Sequence, residues 1–473
     1  MYIKNIITLI VIAGCFMQSC NKLDLPPTDN IDASKAFRNL EDINMGVLGA
    51  YAPLNSSLIE AVAVVSDEAM LPTENTVSNT ASHRWIYDSS SGSVTTSFYD
   101  FYMPIARANR VLEALPNISV VASDQNLRDQ YAGELYALRA YCHFELLRAY
   151  ASSYDPEGLG IPYMKRYEVI SPARPTVKSN FEDIFADLER AKELVPASFS
   201  DNSRISKVAI SAIQARVSLY AKRWNDAFNF ASEAIAGEPL ASKADFAKIW
   251  KDESQAEVIW KLPRIIGDSR IGAAFYRETG DIVLYAPSFK LIDQFGTSIQ
   301  RAEDVRFVNY IRFDASRPTG KSQYAVQKYE GNKSGNRGLA DIKLLRTGEM
   351  YLIRAEASLE VSNDAVALSA ASKDLNDLRA ARISNYISQV YTDKATLLQA
   401  IYNERFKELA YEGHRFFDLK RRNLPVERTN QDAVNTSGAL KLLPTAAQYC
   451  FPIPLDEMKV NKNMKQNPNY GDK

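Results

Sequence analysis

The chain is poor in the residues that carry metal and thiol chemistry, with 4 cysteines and 3 histidines among 473 residues. His83, His143 and His414 are scattered, and none stands in a His-Glu-x-x-His or Cys-x-x-Cys setting, so no metal site is expected. Cys15 and Cys20 crowd the N-terminus. The remaining Cys142 and Cys450 are too few and too distant in sequence to staple a protein of this size, and stability must come from the core. Charge of either sign is not in excess: Lys plus Arg number 56 against 57 Asp plus Glu, without a long basic run, which excludes a phosphate backbone as the natural partner. There is no Gly-x-Ser-x-Gly motif. Gly320-Lys321-Ser322 imitates the tail of a phosphate-binding loop, but Ala315 stands where that loop needs a glycine.

What is present begins at the N-terminus. Lys4 precedes an apolar run from Ile6 to Met17, well short of the ~20 residues that span a bilayer, so the segment reads as a signal peptide. Two cysteines compete for lipid attachment. Ile12-Ala13-Gly14-Cys15 is the better match on the residues just before the cysteine, whereas cleavage at Ser19-Cys20 uses the whole apolar run and leaves no spare thiol at the mature terminus. The stretch that follows is rich in Asp, Asn and Pro, as a tether would be. The expected divisions are a signal peptide at 1–19, a lipidated tether at 20–35, and helical regions at 36–240 and 241–473 packed as one body.

Helical periodicity dominates the body. Apolar positions at three- and four-residue steps predict a helix from Asp124 to Tyr150 buried on much of its circumference, and another from Asn180 to Leu194 stopping at Pro196. Between Ser206 and Ala236, two helices rich in alanine meet at Lys222-Arg223-Trp224, which reads as a tetratricopeptide-like pair. A second such pair is expected at Thr347 to Leu359 and Ala365 to Ala381. The fold class is therefore an all-α-dominated superhelical scaffold with loop-rich insertions and a few short strands. Two insertions break the repeats, Asp67 to Ser97 and Gly267 to Gly338, and insertions on repeat scaffolds build the binding face.

Several stretches, in order along nearly the whole chain, resemble the SusD/RagB family of outer-membrane nutrient-binding lipoproteins. Ser19-Cys20 with Leu23-Asp24-Leu25-Pro26-Pro27 is similar to its lipidated start, which favours Cys20 over Cys15. Phe98-Tyr99-Asp100-Phe101-Tyr102 with Ala108-Asn109, and Arg139-Ala140-Tyr141 with Phe144 and Leu146, resemble two of its helices. The closest likeness is Asn403-Glu404-Arg405-Phe406-Lys407-Glu408-Leu409 through Gly413-His414-Arg415-Phe416-Phe417-Asp418, followed by Phe451-Pro452-Ile453-Pro454 and Asn467-Pro468-Asn469-Tyr470. The resemblance implies tetratricopeptide-like pairs under a loop-rich ligand face, lipid anchorage at the outer membrane with exposure at the cell surface, and a partner, a SusC-like TonB-dependent transporter.

Glu404, Glu408, Glu412, His414 and Asp418 tempt an enzymatic reading. Acid–base catalysis needs carboxylates facing one another across a cleft, and a file of them along one helix does not provide that. On sequence alone Glu404 with Lys407, and Arg405 with Glu408, read as surface pairs, Leu398, Tyr402, Phe406 and Leu409 as the core face, and Gly413 as the helix end. The chain is expected to bind rather than to transform, with no cofactor. Sugar rings offer an apolar face to aromatic side chains and hydroxyls to Asp, Asn and Arg. Trp224 belongs to the repeat turn, and Trp250 and Trp260 to the core. Trp85, within the polar first insertion, is left as the candidate platform, with Arg84, Tyr87, Asp67 and Asn75 as polar neighbours and Tyr276 and Tyr285 from the second insertion. The expected ligand is an oligosaccharide handed to the transporter; the alternative is a peptide, as in the RagB branch. The scarcity of unassigned tryptophan leans toward a peptide or a small glycan.

Overall fold

The computed structural model describes residues 36–331 and 335–471. The expected signal peptide, Cys20 and the tether lie outside the described residues.

Helices dominate, and several of them start at a side-chain cap. The helix Gln125–Tyr150 forms as expected, and from Tyr131 to Tyr150 every residue but Tyr136 is buried. A helix buried on all sides sits in the middle of a molecule, and its polar groups must be paired there, as Arg139 is with Asp187 and Arg148 with Glu145. It packs between Gly92–Ala114 and Val177–Leu194. The latter begins earlier than its periodicity predicts because the Thr176 side chain accepts from the Ser179 N–H. The repeat pair is Lys207–Tyr220 and Trp224–Gly237, with Lys222 in the left-handed region between them (φ 56°) and Ala227, Ala231 and Ala234 as the buried positions of the second helix. The second pair, Thr347–Val361 and Ala365–Ala380, is capped by Asp364. Trp224–Gly237 packs directly on Thr347–Val361, so the repeats of the two halves stack although the second insertion separates them in sequence. The main core runs from Ile43 to Met464, and a smaller one of Leu352, Leu375, Leu378 and Ile401 lies at the second repeat pair.

The insertions supply short antiparallel strands. Ala69–Met70 pairs with Ala286–Pro287, which ties the first insertion to the second. Tyr276–Arg277 pairs with Ile282–Val283, and Ile311–Phe313 with Tyr324–Val326. Met70, Val283, Ala286 and Ala325 give this region a small core of its own. At its base Val258–Leu262 pairs with Ile342–Arg346.

The Asn403–Asp418 stretch departs from its sequence reading. Its helix, Lys394–Glu408, ends before Gly413, which lies in the following turn at φ 78°. Leu397 and Ile401 are its deepest apolar positions, while Leu398 and Tyr402 are half-buried. The pairs expected at the surface are internal: Lys407 meets Glu404 at 3.3 Å within the protein, and Arg405 pairs with Asp418 at 3.1 Å instead of Glu408. The cause is a hub of three buried arginines. Arg346 reaches Glu257 at 2.7 Å, Glu408 at 2.9 Å and Glu412 at 2.6 Å. Arg382 reaches Glu257 at 2.7 Å, and Arg306 reaches Glu404 at 2.6 Å and Glu408 at 3.2 Å. Burial works against the charge on Glu408, but Arg382, Arg346 and Arg306 hold its carboxyl well below the usual range. Every glutamate of the supposed catalytic file is thus committed to a guanidinium. Arg306 and Lys328, on the second insertion, make the hub the mount that fixes this insertion to the repeats.

Candidate ligand face

Most of the residues expected to touch ligand build the frame of the face instead. Trp85 is 8% exposed, donates its indole N–H to the Val65 carbonyl at 2.8 Å, and is covered by the Arg428 guanidinium at 4.0 Å. It wedges the first insertion onto the helix Ser57–Val65 and offers no platform. Tyr87 is buried, donating its hydroxyl to the Gln448 carbonyl and packing edge-on against Phe451. Asp67 is buried between Arg415 at 2.6 Å and Lys290 at 2.7 Å. Burial alone would raise its pKa, but these two cations hold it far below the usual carboxylate range. Asn75 donates to the Leu284 carbonyl at 2.9 Å, and the Tyr285 hydroxyl donates to the Ser78 carbonyl at 2.7 Å, each stitching one insertion to the other. Arg84 is half-buried and spends its guanidinium on Asn435. The first insertion is polar in composition but packs on the body, so its polar groups are consumed by buried backbone, as with Asn75, or by buried cations, as with Asp67.

Tyr276 is the candidate left at the surface. It is half-buried, with the Arg337 guanidinium 3.9 Å from its ring centroid, and its hydroxyl donates to Asp281 at 2.7 Å. That hydroxyl, with Arg317 behind it, holds Asp281 below the usual carboxylate range. Arg317 bridges Asp281 and Glu74, at 3.0 Å to each, and Thr73 donates to the Gly320 carbonyl at 2.9 Å. Beyond it Phe313, 53% exposed, and Tyr324 stand 4.8 Å apart on neighbouring strands. Glu74, Asp281, Arg317, Phe313 and Tyr324 were not singled out from sequence. Strand pairing joins Phe313 to Tyr324, ion pairs between turns join Arg317 to Glu74 and Asp281, and no local motif announces either.

The face is shallow. Beside Tyr276 and Arg337 there is room only for a water-sized void of about 20 Å³, whereas a cleft of about 350 Å³ opens between Trp250, Asn309, Gln327 and Glu330. Trp250 is nonetheless 4% exposed, with Lys328 Nζ 4.2 Å above its ring. The histidines are packing groups: His143 stacks on Tyr163 and accepts from the Met164 N–H at 3.0 Å, and burial pushes its pKa down to about 3. Cys142 and Cys450 are buried free thiols. Among the described residues no helix is long and apolar enough to cross a membrane.

Helical repeats carrying a face of paired strands and exposed rings define a repeat-built binding scaffold. Known proteins place it further. The family described as "SusD family" matches residues 316–470, and that described as "Starch-binding associating with outer membrane" matches residues 23–219. SusD-like protein P38 of Formosa agariphila is 24% identical over 98% of this chain and 99% of its own length. Starch-binding protein SusD of Bacteroides thetaiotaomicron is 33% identical over 28% of this chain and 22% of its own. A SusD superfamily protein from Bacteroides vulgatus superposes with a TM-score of 0.80 at 22% identity, covering 92% of this chain and 100% of that one. The chain belongs to the SusD/RagB family.

Proposed function

We propose that this chain is a cell-surface lipoprotein, anchored through Cys20, that captures an oligosaccharide on the insertion face and passes it to a SusC-like TonB-dependent transporter. Tyr276 carries the reading: a half-buried ring with the Arg337 guanidinium over one face and the Asp281 carboxylate at its hydroxyl brings together an aromatic edge, a cation and an anion for the apolar side and the hydroxyls of one sugar. The exposed Phe313 ring adds a second apolar surface on the same insertion, and the shallowness of the face suits an extended ligand. The descriptions of the family as starch-binding and outer-membrane-associated, and of its Bacteroides thetaiotaomicron relative as starch-binding, support the same class of ligand and location.

Titration calorimetry of the mature protein against oligosaccharide and peptide panels tests the ligand class. We expect a glycan to bind, and Tyr276→Ala to weaken it about tenfold with the unfolding midpoint unchanged. Binding of peptides alone moves the function to peptide uptake, and an unaffected Tyr276→Ala removes the assignment of the face. Palmitate labelling that survives Cys20→Ala but not Cys15→Ala overturns the anchor.

A further inference from the structure

A second cleft, of about 310 Å³, lies at the repeat turn and takes no part in the insertion face. It is walled by Tyr154, Tyr220, Trp224 and Tyr449, with Lys420 and Asn423 among its polar groups. The volume is at the small end of the ~300–1,000 Å³ usual for ligand pockets, enough for a short ligand. Trp224 is half-exposed at the start of its helix, and its indole N–H has no hydrogen-bond partner among the described residues. The other three tryptophans are buried. Tyr154 and Tyr220 meet edge-on at 5.2 Å.

Lys420 sets the chemistry. It is 7% exposed, and its ammonium donates only to neutral acceptors, the carbonyls of Ala151 at 2.8 Å and Arg148 at 3.3 Å. An ammonium has three donors, and the third has no oxygen acceptor among the described residues; the Tyr154 ring lies 4.8 Å from Nζ. Among the described residues no carboxylate lies within ion-pair distance of it. Its neighbour Arg421 is neutralised by Glu356 at 2.5 Å and Asp418 at 2.9 Å. Lys222 adds a second cation at the edge, and Asp155 is the one acid among the lining residues. Among the described residues Lys420 and Lys222 have no carboxylate partner, and they line the aromatic-walled cleft with one carboxylate. Burial draws the Lys420 pKa down to about 8, which leaves the amine charged at neutral pH.

We propose that this cleft is a second saccharide site, for a single anionic sugar whose carboxylate or sulfate ester meets Lys420 while its ring lies against Trp224. A buried ammonium with a free donor gains most from a charged oxygen acceptor, and the aromatic walls exclude a bare hydrated ion in favour of one carrying an apolar ring face. The site is independent of the insertion face, and it stands or falls whatever that face binds.

The test is calorimetric titration of the mature protein with glucuronic acid, glucose 6-sulfate, glucose and inorganic sulfate. We expect saturable binding of one or both anionic sugars, whichever form of the charge the cleft accepts, and weaker binding of glucose and sulfate. Trp224→Ala is expected to lower that affinity about tenfold, Lys420→Gln to lower it by about the same factor without changing that for glucose, and Tyr276→Ala to leave it untouched. Lys420 also bonds carbonyls at the end of a long helix, so if Lys420→Gln fails to fold, Lys222→Ala and Trp224→Ala decide. The proposal is overturned if neither anionic sugar saturates, if inorganic sulfate or glucose binds as tightly, or if Trp224→Ala retains full affinity. Loss of this binding in Tyr276→Ala overturns it equally, since the sugar is then held at the insertion face.

Discussion

The second insertion carries its charge in two settings. At its base, Arg306 and Lys328 enter a hub with Arg346, Arg382 and four glutamates, all withdrawn from solvent. At its outer surface, Asp281 pairs with Arg317 and with Tyr276 while remaining 53% exposed. The residue types are the same, and the energetics are not. An ion pair without water survives only when every charge is matched, so removing one partner leaves a buried charge uncompensated. At the surface, water replaces whatever is lost. The inner cluster therefore fixes architecture, and in the outer one Asp281, unlike the buried Arg317 and Glu74, is free to exchange its partners for a ligand's hydroxyls.

The largest effect that follows is on Arg346. Arg346→Met takes one cation from each of Glu257, Glu408 and Glu412, leaves Arg382, Arg306 and Lys328 to hold four buried glutamates, and is expected to cost ~3–5 kcal/mol, read as a lower midpoint of chemical denaturation. Arg346→Lys should recover little of it, because a point charge cannot serve three carboxylates as a planar fork does. A cost under ~1 kcal/mol in Arg346→Met would break the contrast between base and surface.

Trp85→Ala comes next. Removing a buried wedge whose N–H is hydrogen-bonded is expected to cost ~3 kcal/mol. Ligand affinity of the folded fraction should stay as it was, since the ring is covered. A variant of normal stability with lost binding would return Trp85 to the ligand.

Sequence periodicity carried the scaffold. Helices such as Gln125–Tyr150 and the pair meeting at Trp224 repeat their apolar positions at a helical step, and that pattern survives folding unaltered. The Asn403–Asp418 motif identified the family while concealing what its charges do. Glu404 and Glu408 look like surface partners because the arginines that bury them, Arg306, Arg346 and Arg382, come from far along the chain. The ligand face was the least legible part for the same reason. Polar composition cannot separate a loop whose Asp67 and Asn75 are consumed by backbone and buried cations from one whose Asp281 is offered to solvent; only the pairing of Ala69–Met70 with Ala286–Pro287 decides which side faces out.

Glu68 sharpens the comparison because it lies beside Asp67 yet lacks a matched cation. One of its carboxylate oxygens has no hydrogen-bond partner, and burial pushes its pKa up to about 7, where Arg415 and Lys290 hold Asp67 down. A folded-state pKa raised above the ordinary value means stability present below about pH 4.5 and lost as pH rises through about 7. Glu68→Gln removes that loss. Its stability relative to the parent is expected to grow by up to ~3 kcal/mol from pH 4.5 to pH 8. Lys328, which burial brings down to about 7, titrates in both proteins and cancels to first order. A difference independent of pH would mean that Glu68 is matched after all.

The smallest effect belongs to the outer cluster and is for that reason the most discriminating. Asp281→Asn removes one carboxylate from Arg317 but leaves Glu74 at 3.0 Å, and the amide oxygen still accepts from the Tyr276 hydroxyl. The position is half in water, so the change in stability should stay below ~1 kcal/mol and diminish further in 1 M salt. Affinity for the ligand should fall a few-fold, because a carboxylate makes the stronger hydrogen bond to a sugar hydroxyl. Calorimetry and thermal unfolding on the same preparation separate the two. A large loss of stability would make Asp281 a structural ion like Glu408, and the carboxylate beside Tyr276 would then not be free to meet a ligand.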